Sequence, residues 1–95
     1  MTYPVHFTAG SVAGVELGEG ELFDALSSAL ELPDYFGRNW DALDECLRDR
    51  EAPVTLVVRN ASARWERAPE ELRTLIDVWL SAAEGRDDLQ LVFVW

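Results

Sequence analysis

Val54-Thr55-Leu56-Val57-Val58 is an unbroken, largely β-branched run, and Leu89-Gln90-Leu91-Val92-Phe93-Val94-Trp95 is a second apolar run of strand character. A strand with one face in water alternates apolar and polar residues, so a run that does not alternate asks for a sheet covered by helices. The run alone leaves antiparallel pairing open. Elsewhere the apolar period lengthens to that of a helix. Leu22, Leu26, Ala29 and Leu30 recur at helical spacing, with Phe23 widening the face, until Leu32-Pro33 ends the pattern. Asn39 is a natural N-cap for a second helix, along which Trp40, Leu43 and Leu47 form an apolar stripe flanked by Ala42 and Cys46. A short polar stretch surrounds Trp65. Pro69 suits the first turn of a third helix, Glu70 and Glu71 suit its positive end, and Gly85 is its expected stop. Leu72, Leu75, Ile76, Trp79 and Leu80 are its expected buried face. A first strand is expected over residues 3–7, followed by a loop marked by Gly10, Gly14, Gly18 and Gly20. The order strand, helix, helix, strand, helix, strand predicts an α/β fold: a small parallel or mostly parallel sheet with helices on one face.

Ninety-five residues suit one domain over 1–95 with a single modest core, and 48% hydrophobic content excludes disorder of the whole chain. The 18 acidic residues outweigh 8 basic ones, all arginine, for a formal charge of -10. Nucleic acid and anionic membrane surfaces are therefore excluded as partners by repulsion, and a basic protein is favoured. The same charge also serves solubility. One cysteine, Cys46, rules out an internal disulfide. The first ten residues lack a basic start and a sustained apolar run, and no stretch reaches membrane-spanning length, so the expected location is the cytoplasm.

The charge is concentrated. Nine acidic residues and one basic residue, Arg38, lie between Glu16 and Glu45. Asp41 and Glu45, four apart, point the same way from the second helix, with Asp44 beside them and the leucines turned to the core. The helix dipole accounts for Asp41 in the first turn. It accounts less well for Glu45, which gains little from the dipole and faces a like charge at i-4. This face is either simply solvated or a docking surface for cationic groups. Acid–base catalysis by paired carboxylates requires a cleft that an exposed helical turn does not supply. A metal site needs further ligands, and His6, the only histidine, has no evident partner. The first-loop glycines make no phosphate cradle, and the chain has no lysine to complete one. No cofactor, metal or small-molecule substrate is expected. Tyr35 and Phe36 precede the helix in a turn, where an aromatic side chain serves either packing or recognition.

The run from Leu32 to Leu47, LPDYFGRNWDALDECL, resembles the central segment of barstar-like ribonuclease inhibitors, and the order of elements agrees over most of the chain. The resemblance implies a non-enzymatic protein with three parallel strands packed with helices. Its acidic helix would enter the active-site groove of a secreted, basic, guanyl-specific microbial ribonuclease. The family's two principal acidic contacts match Asp41 and Glu45, and its recognition tyrosine matches Tyr35. Gly37 and Asn39 match residues of its binding loop and helix start. The partner-binding set is thus Tyr35, Gly37, Asn39, Trp40, Asp41, Asp44 and Glu45. The chain departs from the family type in having Glu45 for an aspartate and Asp44 for a tryptophan. It also has a shorter charged loop at 48–52, and Ser81 stands where a further acidic contact falls. The other role such a fold suits is an immunity or adaptor protein for a different basic protein or toxin domain.

Overall fold

The computed structural model describes residues 11–17 and 20–95. Strands β1 (Ser11–Glu16), β2 (Val54–Arg59) and β3 (Leu89–Phe93) lie parallel in the order β1-β2-β3, with Val54 opposite both Ser11 and Leu89. Helices α1 (Leu22–Leu30) and α2 (Trp40–Asp49) connect β1 to β2, and α3 (Ala61–Arg67) and α4 (Pro69–Ala82) connect β2 to β3. This is the small α/β fold expected, with a three-stranded parallel sheet packed against helices.

Side chains alternate between the faces of a pleated strand, and here one face is covered. Val15, Val54, Leu56, Val58 and Leu89 are buried, whereas Val12 and Val92 point to the open face. Against the covered face lie Leu22, Leu26 and Leu30 of α1, Leu43 and Leu47 of α2, and Leu72, Leu75, Trp79 and Ala82 of α4. Each fully buried leucine contributes about 1.5–3 kcal/mol. The second helix packs on the fourth, and that contact decides where the acidic turn stands.

Several expectations meet a different outcome or fall outside the described residues. The expected strand over 3–7 lies outside them. The glycine-marked segment taken for a loop contains β1, because pairing with β2 along its whole length outweighs the weak strand propensity of Gly14. The polar stretch around Trp65 is α3. A seven-residue helix is marginal by itself. This one is held from outside: Ala61 N–H donates to Val94 O, and the guanidinium of Arg64, only 3% exposed, donates to Leu17 O, Gly20 O and the Glu71 carboxylate. Finally, Leu80 is exposed rather than buried. The buried stripe of α4 runs through Leu72, Leu75, Trp79 and Ala82, which turns Leu80 outward, and Trp95 lies against the Trp65 ring at 6.1 Å.

Candidate functional site

The segment from Leu32 to Asn39 leads from α1 into α2 through a series of local constraints. Glu31 closes α1 in the left-handed region (φ 55°), and Leu32 N–H donates back to Ser27 O. A turn brings Phe36 N–H to Pro33 O at 2.9 Å. Phe36 is driven inward, 8% exposed, against the edge of the Phe23 ring. Its neighbour Tyr35 is consequently thrown outward and is 87% exposed. Arg38 adopts a left-handed conformation (φ 56°) and pairs with Asp24 on α1, so the single cation in this stretch is occupied by an acid of the same region.

Asn39 then starts α2. Its Oδ1 accepts from Ala42 N–H at 2.8 Å, and its Nδ2 donates to Gly37 O at 3.2 Å. A Cβ on Gly37 would stand 3.2 Å from that same Nδ2, so a residue without a side chain lets the cap close. Trp40 is half-buried, its ring edge-on to Phe23 at 4.8 Å, and it anchors the first turn rather than standing free.

Beyond this anchor the polar face of α2 carries Asp41, Asp44, Glu45 and Arg48, at i, i+3, i+4 and i+7, which share one side of a helix. Asp41 and Glu45 are exposed, and neither forms an ion pair among the described residues. Asp44 differs. Arg48 Nε donates to both its carboxylate oxygens at 3.0 Å, while Arg48 Nη2 donates to Ser81 O at 3.2 Å and Ser81 Oγ at 2.9 Å. The charged stretch expected as a loop from residue 48 thus begins inside α2, which ends at Asp49.

The far end of α2 is clamped by Arg86, from the turn before β3. Its guanidinium donates to Leu47 O, Arg48 O and Arg50 O around the helix terminus, where Leu47 O also accepts from Arg50 N–H, and it pairs with Asp88. The hydrogen bond from Arg86 holds the Asp88 carboxyl below the usual carboxylate range, and Asp88 in turn raises Arg86. Arg50 reaches the other way and donates to Leu30 O at the end of α1. Cys46 is half-buried. Partial burial, together with Asp49 and Glu45, pushes its thiol up, so it stays protonated at neutral pH and makes a poor nucleophile. Among the described residues no group of three or more His, Cys, Asp or Glu is placed to hold a metal ion. No helix among them is long and apolar enough to cross a membrane.

Of the residues singled out in the sequence, Tyr35, Asp41 and Glu45 stand exposed, Gly37 and Asn39 build the junction, Trp40 supports it, and Asp44 is already engaged. Arg48 and Arg86 were not singled out, and Ser81 was noted only as standing where the family type has an acid. Asp44 and Arg48 are legible as an i,i+4 pair. Arg86 is local only to Asp88; the carbonyls of α2 that it holds lie more than thirty-five residues away and leave no local signal.

The family model described as barstar (barnase inhibitor) matches residues 17–94, most of the chain. YrdF of Bacillus subtilis (strain 168), provisionally named a ribonuclease inhibitor, is 50% identical over 40 residues. That match covers 41% of this chain and 44% of the relative, so the chain spans less than half of that protein's length.

Proposed function

The chain belongs to the barstar family of ribonuclease inhibitors, and from that premise we propose that it is a cytoplasmic inhibitor of a basic, secreted, guanyl-specific ribonuclease. The observation that carries this reading is the pair of exposed carboxylates, Asp41 and Glu45, one helical turn apart and without an ion-pair partner among the described residues, preceded in the chain by the outward ring of Tyr35. A ribonuclease groove must hold cationic groups to bind phosphate. Carboxylates presented on a rigid helix compete for those groups through charge-assisted hydrogen bonds and block the groove without being cleaved. Tyr35 supplies a flat, amphipathic contact surface at low entropic cost. The formal charge of -10 draws a basic partner in before contact.

Titration into a purified guanyl-specific ribonuclease, following RNA cleavage and binding heat together, tests the reading. The expected result is stoichiometric loss of cleavage, with association slowed as salt screens the field. Asp41→Asn and Glu45→Gln should each cost about 2–5 kcal/mol of binding, the range for truncating one partner of a buried charge pair, with little change in melting temperature. Absence of binding at both low and high salt would sink the proposal and leave the acidic helix for a different basic protein.

A further inference from the structure

Asp41, Asp44, Glu45 and Arg48 form one stripe along α2, but they are not one field. The first and third carry carboxylates with no ion-pair partner among the described residues. The second is engaged by the fourth, and the engagement reaches beyond the helix, since the same guanidinium is fixed to Ser81 of α4 through both the backbone oxygen and the hydroxyl. An isolated surface ion pair on a helix is weak because two long side chains must be held in one geometry. Here part of that ordering is already imposed, because Arg48 docks on a neighbouring helix that packs against α2 in any case. The last turn of α2, at Arg48, therefore presents a guanidinium where Asp41 and Glu45 present carboxylates.

We infer that Arg48 is a specificity-determining residue of the partner-binding face: it withdraws Asp44 from the docking field and disfavours partners that place a cation against Asp44 or the last turn of α2. This rests on the inhibitor reading above, since it concerns the same face. A ribonuclease that brings an arginine or lysine to Asp44 must either displace Arg48 from it or approach a like charge. Arg48 acts on the partner both directly, as a cation on the stripe, and through Asp44, as a positioning residue.

The test is a mutant cycle with a purified guanyl-specific ribonuclease as the probe, using Asp44→Asn, Arg48→Gln and the double variant, with Asp41→Asn as the control. Each protein's melting temperature is measured separately. In the wild-type background Asp44→Asn should weaken binding less than about twofold, because its charge is already engaged. In the Arg48→Gln background the same change should cost about fivefold or more, because a freed carboxylate now meets the cations of the groove. Arg48→Gln alone should speed association and steepen its salt dependence, while Asp41→Asn should cost the same in both backgrounds. A purely structural role for Arg48 would instead make Arg48→Gln lower affinity in step with stability. That result, or an Asp44→Asn cost equal in the two backgrounds, overturns the inference while a large Asp41→Asn effect leaves the inhibitor reading standing. Failure of the wild-type protein to bind the ribonuclease overturns both.

Discussion

Asn39 serves both sides of the junction that aims the acidic turn. One side-chain oxygen satisfies an open amide of α2, and the amide nitrogen of the same group holds the preceding backbone at Gly37. Replacing an N-cap asparagine with alanine costs about 1 kcal/mol. Asn39→Ala should therefore lower the unfolding free energy by about that much in urea titration. It should also loosen the approach of Tyr35 and Asp41, so that binding falls further than Asp41's own chemistry would explain. This residue was legible in the sequence because capping depends on side-chain chemistry and a few neighbours. The left-handed backbone at Arg38 was not, since nothing in an arginine's chemistry favours that conformation.

At the scale of elements, α2 is fastened at both ends by different means: a cap of its own at the start, and at the finish a guanidinium delivered from the turn before β3. Asp88 holds that guanidinium in place. Because the folded protein keeps the Asp88 carboxyl below its ordinary value, the ion pair adds stability above about pH 4, where the unfolded carboxyl is also ionised. That contribution is lost as pH falls through the lowered folded value. Asp88→Asn should thus melt below the wild type at pH 7, and the two curves should converge as the buffer is taken down through the lowered range of the folded carboxyl. A gap that stays constant with pH would mean that the carboxylate's charge is not what holds Arg86. The helix boundaries near Asn39 and Pro69 follow from local rules, whereas α3 depends on Val94 and on the partners of its own Arg64, namely Leu17, Gly20 and Glu71, all outside its seven residues.

Across the whole molecule, Arg64 has the widest reach, joining the end of β1 and the following loop to α4 through a buried guanidinium. Arg64→Leu should remove these bonds, strand the buried carbonyl of Leu17 and cost about 3 kcal/mol, read as a lower denaturation midpoint. A change below about 0.5 kcal/mol would show that solvent replaces the guanidinium freely. Periodicity and capping, which act over a few residues, were enough to read the helix-covered sheet, the run of α2 and the exposed pair Asp41 and Glu45 from the sequence. Only the tertiary structure made Gly14 part of a strand, turned Leu80 and Trp95 outward, and fastened Arg48 to Ser81. Each of those outcomes depends on a partner brought close by folding, such as β2 beside Gly14 or α4 beside Arg48, and such partners leave no trace in the local spacing of residues.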